Sequence, residues 1–228
     1  MSRQAIVTGG TGALGRAVVS AFLGAGDRVC VPWIVEDERR ELARAEAAAL
    51  AAGRLLLVEA DVAEEAGASA VVGACGGADV LVNGVGGFGG GAPVHETGLE
   101  LWDRMYRINL RSAVAMSRAA APAMLARGGG VILSVASRAA FEHPPGIAAY
   151  SAAKAGVAVL TATLQKELGP GGVRVCAVVP STIDTPANRR AMPDADPGAW
   201  TPPAAIARVL VWLASDAAAS VRGALVPV

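Results

Sequence analysis

The chain has 228 residues, enough for one α/β domain around a single core. Its 20 Lys and Arg residues balance 20 Asp and Glu residues, so no net charge recruits nucleic acid or an anionic membrane. No apolar run approaches the roughly 20 residues that span a bilayer, and the start, MSRQAIVTGG, lacks a signal peptide's hydrophobic stretch, so we expect a cytoplasmic protein.

Short apolar runs alternate with longer amphipathic segments along the chain. Strands are predicted at 5–9, 28–33, 55–61, 79–84, 130–137, 173–180 and 224–228. Helices are predicted at about 13–24, 36–52, 64–75, 99–126, 147–168 and 202–214, the last with Thr201 as N-cap and Pro202 at its first position. Because nearly all the strands are apolar on both faces, we predict one domain, 1–228, with a doubly wound, parallel, seven-stranded Rossmann-type sheet and helices on both faces.

The positions of the cysteines and histidines predict neither a disulfide nor a metal site. Cys30, Cys75 and Cys176 are widely spaced beside Val or Ala, and we expect three buried thiols in a reducing compartment. His95 and His143 lack a third partner, so no metal site is predicted.

A glycine-rich turn, TGGTGALG at 8–15, follows the first strand and opens the first helix. Gly9, Gly12 and Gly15 let backbone N–H groups approach a pyrophosphate at the helix N-terminus, where the helix dipole also favours an anion. In a doubly wound chain this turn predicts dinucleotide binding.

The end of the second strand leaves the choice between NAD and NADP open. Dinucleotide domains often place an acid there to accept hydrogen bonds from the adenosine ribose, but this chain has Trp33 followed by Ile34. Glu36 and Asp37 come later, in the first turn of the next helix, and Arg39 and Arg40 follow them. Trp33 neither accepts from the ribose nor repels a 2′-phosphate. We therefore expect permissive binding, with affinities for the two reduced cofactors within a factor of about 30.

The stretch YSAAK, Tyr150 to Lys154, carries the candidate chemistry. Its two ionisable side chains are one helical turn apart and share a face, and a nearby ammonium lowers the pKa of a phenol toward the working range. Ser137 ends the fifth strand, at the sheet edge where ligands bind in such folds, and can converge with Tyr150 on one carbonyl oxygen.

These residues, with Asn109 in INL, NGVG at 83–86 and VVPSTIDT after the sixth strand, resemble the short-chain dehydrogenase/reductase family over essentially the whole chain. The resemblance implies that Tyr150 transfers a proton, Ser137 orients the substrate oxygen, and Lys154 lowers the tyrosine pKa and holds the nicotinamide ribose. Asn109 would open the fourth helix to a water that links Lys154 to solvent. The expected cofactor site is Gly9, Thr11, Gly12, Ala13, Leu14, Gly15, Trp33, Asp61, Val62, Asn83, Gly84, Val85, Tyr150, Lys154, Pro180, Ile183 and Thr185.

Some segments depart from the family's usual pattern. Ala13 replaces a glycine, and GGTGALG, GVGGFGGG and 182–202 look like dihydropteridine reductase, although Ser137 does not fit that enzyme. We expect an NAD(P)-dependent oxidoreductase that moves hydride to or from a C=O or C=N carbon of a small substrate, in the cell as a reductase. A quinonoid dihydropteridine reductase and a non-catalytic nucleotide sensor remain as alternatives.

A polar, proline-punctuated loop at 182–200 is predicted to be a substrate lid. The candidates for substrate contact are Phe88, His95, His143, Arg189 and Arg190. The alanine-rich helices 99–126 and 147–168 are expected to form the interface of a homodimer or homotetramer.

Overall fold

Seven parallel strands form the centre of the molecule in the computed structural model, which describes residues 2–228. They are β1 Gln4–Thr8, β2 Arg28–Trp33, β3 Leu55–Glu59, β4 Val80–Asn83, β5 Gly130–Val135, β6 Val173–Val179 and β7 Leu225–Pro227. Their order in the sheet is β3-β2-β1-β4-β5-β6-β7. The order reverses between β1 and β4, so a ligand crevice is expected beyond the carboxyl ends of these two strands.

The helices are α1 Ala13–Gly24, α2 Glu36–Ala45, α3 Ala47–Ala51, α4 Glu65–Ala74, α5 Leu99–Tyr106, α6 Ser112–Ala126, α7 Ala139–Glu142, α8 Ala148–Leu168, α9 Pro186–Ala191 and α10 Pro203–Ala214. The prediction for α1 is confirmed at both ends. The predicted helix 36–52 is broken at Glu46, and the short helices α7 and α9 were not predicted. Within residues 2–228, no helix is long and apolar enough to cross a membrane.

Apolar side chains cover both faces of the sheet. On one face Val7, Val31 and Leu133 pack with Phe22 of α1 and Leu210 of α10. On the other face, Ile6, Leu81 and Ile132 pack with Met116 and Met124 of α6. Neighbouring residues of one strand thus enter opposite layers, which is why the strands read as continuous apolar runs. The predicted doubly wound α/β fold is confirmed.

A π-helical segment, Arg107–Arg111, joins α5 to α6 where a single helix, 99–126, was predicted. Asn109 Nδ2 donates a hydrogen bond of 3.1 Å to the Met105 carbonyl, and Ser112 Oγ donates one of 2.9 Å to the Ile108 carbonyl. These side chains satisfy carbonyls around the widened turn. Such single-turn insertions occur often at functional sites.

The loop between β6 and α10 is closed at its base by backbone hydrogen bonds. Thr201 N donates to the Thr182 carbonyl at 2.8 Å, and Asp184 N donates to the Thr201 carbonyl at 3.0 Å. The prediction of Thr201 as a helix N-cap is wrong, because its hydroxyl contacts Ser181 and the Val228 carbonyl instead. Pro202 is the N-cap, and α10 begins at Pro203.

The expectation of three free thiols is also wrong. Cys30 on β2 faces the layer that contains α4, and Cys75 lies directly after that helix, so the two sulfurs meet. The structure pairs them as a disulfide with Cα atoms 6.4 Å apart, and only Cys176 among these three is a free, buried thiol.

Candidate active site

The turn between β1 and α1 brings backbone amides to the head of the crevice. Gly9 has φ of 67°, a left-handed conformation that favours glycine. Gly15 lies against the backbone of Gly9 and Gly10, where a Cβ atom would collide. No side chain caps α1, and its first turn holds no acid, so its N-terminal N–H groups are open to an anion.

This turn borders a cavity of about 410 Å³. Twelve residues predicted for the cofactor line it: Gly9, Thr11, Gly12, Ala13, Leu14, Gly15, Trp33, Asp61, Val62, Gly84, Val85 and Thr185. The lining also includes Glu38, Arg107 and Ile108, which no sequence pattern had predicted. The size and the open amides fit a nucleotide with phosphate groups at the N-terminus of α1.

Five predicted cofactor residues do not line this cavity. Two of them, Tyr150 and Lys154, lie in the neighbouring pocket described below, and the other three are Asn83, Pro180 and Ile183. Asn83 is buried at the end of β4, where its Nδ2 donates to Ser117 Oγ at 3.1 Å and to Ser134 Oγ at 3.4 Å. Pro180 is buried after β6, and Ile183 packs against the core beside α10. These three residues pack in the layer beneath the cavity wall and have no surface in the cavity itself.

Asp61 lies after β3 on the cavity wall and is paired with Arg107. Arg107 Nη2 donates to Asp61 Oδ2 at 2.9 Å, and the Ala63 N–H donates to Asp61 Oδ1 at 2.9 Å. Burial acts to raise the pKa of Asp61, but these two hydrogen bonds outweigh it and hold that pKa below its usual value. Asp61 is therefore a fixed carboxylate.

The far end of the cavity lies between β2 and α2. Trp33 forms part of the wall, and the guanidinium of Arg39 lies 5.4 Å from the centre of its ring. Arg39 and Arg40 both donate to Glu36, which lowers the pKa of that carboxyl to about 2. Glu36 and Asp37 are in the first turn of α2, as predicted.

Lys154 points from α8 toward the end of β5. Its side chain is buried, and Nζ donates a hydrogen bond of 2.8 Å to the Val135 carbonyl. Burial lowers the pKa of Lys154 to about 8. Nζ lies 6.0 Å from the centre of the Tyr150 ring, so the two groups share one pocket, as their spacing predicts.

Tyr150 has a pKa above its usual value because burial disfavours the phenolate, while the nearby side chain of Ser137 acts in the opposite direction. Lys154 directs its ammonium at the Val135 carbonyl in this arrangement, and its effect on the pKa of Tyr150 stays a prediction. Ser137 Oγ accepts a hydrogen bond of 3.2 Å from Ala139 N at the start of α7.

Gly86 joins the nucleotide cavity to the Tyr150 pocket. It lines the cavity, and a Cβ atom built on it would lie 2.8 Å from Asn109 Oδ1 and 3.2 Å from Lys154 Nζ. Asn109 is buried and bound on both sides of its amide to Gly87, with Nδ2 donating to the Gly87 carbonyl and Oδ1 accepting from its N–H. The structure thus brings the predicted residues Ser137, Tyr150, Lys154 and Asn109 to one place.

The candidate substrate residues differ in their surroundings. The ring of Phe88 contacts that of Tyr150, whereas His143 is exposed at the end of α7 with φ of 50°. Arg189 pairs with Asp184 through two hydrogen bonds, of 2.6 and 2.8 Å, within the loop itself. His95 lies beside Glu96 and is exposed.

Comparisons with known proteins show which family the chain belongs to. The model of the short chain dehydrogenase family matches residues 3–196. A 2-(R)-hydroxypropyl-CoM dehydrogenase from Xanthobacter autotrophicus is 38% identical over 192 residues, which are 82% of this chain and 76% of that protein. A 2-dehydro-3-deoxy-L-rhamnonate dehydrogenase (NAD(+)) from a Sphingomonas species is 35% identical over 188 residues, 81% of this chain and 73% of the relative.

The likeness extends to solved structures. The crystal structure of gox2181 covers 100% of this chain and 94% of its own, with 30% identity and a TM-score of 0.90. None of these likenesses supports a special closeness to dihydropteridine reductase. The family match and the identities across most of the chain show that this protein is an oxidoreductase of the short-chain dehydrogenase/reductase family.

Proposed function

We propose that this enzyme transfers hydride between a nicotinamide cofactor and the carbinol or carbonyl carbon of a small substrate, and that it acts in the cell as a reductase. The observation that carries the proposal is the position of Gly86, which borders the nucleotide cavity and also the pocket of Asn109 and Lys154. A dinucleotide with its phosphates at α1 would extend past Gly86 toward Tyr150. The bound cofactor would supply the hydride donor or acceptor.

Tyr150 is the proton donor to the substrate oxygen. Because burial raises the pKa of Tyr150, the phenol keeps its proton at neutral pH and is ready to donate it. Ser137 lies near enough to the phenol to influence its pKa, and its hydroxyl can hold the same carbonyl oxygen. In the oxidative direction the phenol must first lose its proton, so that direction needs a higher pH.

Lys154 supplies positive charge beside the phenol and would hold the nicotinamide ribose. Because Lys154 is buried, little water screens its ammonium, and the electrostatic interaction of that charge with the phenol is strong. Asn109, fixed by Gly87 and Met105, shapes the pocket at the widened turn of the helix. The roles given to these residues follow those that the family resemblance implies.

A carbonyl or secondary alcohol substrate is the class that this site supports best. The side chains of Ser137 and Tyr150 together provide two hydroxyl groups that can hold one carbonyl oxygen. A pterin reductase does not need this pair. Several relatives of this chain are dehydrogenases that act on different hydroxylated compounds. A sensor without catalysis has no need of the complete set of Ser137, Tyr150, Lys154 and Asn109.

A second part of the proposal concerns assembly. The long helices α6 and α8 carry exposed apolar side chains, including Val114 and Val159. Val159 follows a run of small residues on α8, where close packing of two helices is possible. We propose that α5, α6 and α8 form the interface of a homodimer or homotetramer.

The test is turnover of a panel of ketones, secondary alcohols and a quinonoid dihydropterin, with the wild-type chain and Tyr150→Phe. We expect the variant to bind the cofactor but to lose at least about 100-fold in turnover, the usual contribution of a general acid–base group. Tyr106→Phe is the matched control, because Tyr106 is the chain's only other tyrosine and is half exposed. A variant at position 150 that keeps more than about a tenth of the activity contradicts the role.

A further inference from the structure

The nucleotide cavity carries a second carboxylate at the end opposite to Tyr150. Glu38 is in the first turn of α2 and lines the cavity. Its Oε2 accepts a hydrogen bond of 2.7 Å from Thr11 Oγ1, and Thr11 is buried in the glycine-rich turn. This contact joins two elements that are 27 residues apart and holds the carboxylate beside the turn.

Trp33 provides no charge at this end of the cavity. It stands where an acid was expected, and its ring forms part of the wall. The side chain of α2 that reaches the cavity is that of Glu38, five residues after the expected position at Trp33. An acceptor and a negative charge are therefore present, but they come from the helix and not from the end of β2.

The nearby arginines do not offset this charge. Arg39 uses both Nε and Nη2 for Glu36, each at 2.7 Å, and Arg40 Nε donates to the same carboxylate at 2.9 Å. Neither arginine is among the residues that line the cavity. Arg107, which does line the cavity, is paired with Asp61 and Glu64. A 2′-phosphate at this end would therefore meet the Glu38 carboxylate and no unpaired guanidinium.

We propose that Glu38 makes the site selective for NADH over NADPH, with Thr11 as the residue that positions it. This inference rests on the proposed function, because it requires the cavity to hold a dinucleotide. The ribose hydroxyls of NADH can donate to the carboxylate, whereas the phosphate of NADPH repels it. The expected preference is about 100-fold or more, beyond the factor of about 30 inferred from Trp33 alone.

The experiment is a titration of NADH and NADPH against the purified chain, with dissociation constants from calorimetry or from cofactor fluorescence. Glu38→Gln keeps the size and the hydrogen bond acceptor but removes the charge, and it should reduce the preference to less than about 10-fold, mainly by tightening NADPH. Asp37→Asn is the matched control, since Asp37 is the preceding acid of α2 and its side chain is 92% exposed. It should leave the ratio unchanged.

Substitutions of Thr11 test the positioning role. Thr11→Val removes the hydroxyl and should lower the preference, and Thr11→Ser should restore it. A preference below about 10-fold in the wild type, or one that Glu38→Gln does not change, overturns the inference while leaving the proposed function intact. Binding of neither dinucleotide would overturn the proposed function and this inference with it.

Discussion

The ring of Phe88 stands edge-on to the ring of Tyr150, with centroids 5.3 Å apart and an interplanar angle of 66°. Phe88 belongs to the glycine-rich segment after β4 and is 60% exposed. A large apolar side chain at that exposure, in contact with the proposed proton donor, is available to a substrate.

Phe88→Ala should raise KM for the carbonyl substrate about 10-fold or more and leave the dissociation constant of the cofactor within about 2-fold, since one lost aromatic contact is worth roughly 1 kcal/mol or more. Steady-state kinetics together with cofactor titration would show this. Trp212→Ala removes another half-exposed aromatic ring, on α10, and should change neither constant. If Phe88→Ala weakened the binding of cofactor and of substrate equally, a specific contact between Phe88 and the substrate would be contradicted.

The pH dependence of the two directions should differ. The raised pKa of Tyr150 keeps the phenol protonated at neutral pH, and Lys154, with a pKa of about 8, loses its charge above that value. For reduction, kcat/KM should be level through neutral pH and fall above about pH 8. For oxidation it should rise from neutral pH as the phenolate forms. A reductase rate that increases steadily with pH would contradict both assignments.

The buried ammonium of Lys154 should cost stability. Its pKa falls from 10.5 to about 8 on folding, so the cost is fully present below pH 8 and disappears between about 8 and 10.5. Lys154→Met should therefore raise the free energy of unfolding at pH 7 by about 2 kcal/mol, after loss of the hydrogen bond to Val135, and the gain should shrink near pH 10. Urea unfolding at both pH values measures this.

The control for this experiment is Lys166→Met. Lys166 is the chain's only other lysine and is exposed on the same helix, α8, so its substitution should change stability by less than about 0.5 kcal/mol at either pH. A loss of stability in the Lys154 variant at pH 7 would mean that its hydrogen bond outweighs the cost of burial.

The assembly proposal predicts a change of mass on substitution of Val159. This side chain is 66% exposed, and Val159→Asp places a charge in the proposed helix interface. Light scattering should show a dimer or tetramer for the wild type at micromolar concentration and smaller species for the variant. Val94→Asp, at a site 60% exposed outside these helices, should keep the wild-type mass. A monomeric wild type would rule the proposal out.

Local patterns were sufficient to predict the fold and most of the nucleotide cavity. The turn at Thr8–Gly15 and the Tyr150–Lys154 spacing each specify a local conformation of a few consecutive residues, so the sequence determines them directly. Apolar strands and amphipathic helices likewise predict the sheet and its two layers. A continuous apolar run indicates a strand buried on both faces, and an apolar repeat of about 3.6 residues indicates a helix with one buried face.

The missed features depend on packing between elements. Glu38 meets Thr11 only because α2 is placed against the glycine turn, and its position in the sequence gives no sign of this. The pKa of Tyr150 depends on how far the ring is buried and on where the Lys154 ammonium points, which the spacing of the two residues does not determine. The pairing of Cys30 with Cys75 depends on the layer in which α4 lies.

The closed base of the loop at 182–200 has a consequence for how this scaffold can vary. The hydrogen bonds between Thr201 and both Thr182 and Asp184 bring the two ends of the loop together independently of what lies between them. Adding residues between such fixed ends costs little, since the entropy of closing a loop grows only slowly with its length. The segment 186–199 can therefore change in length and sequence, and with it the residues offered to a substrate. The sheet and the Tyr150 pocket would keep their geometry.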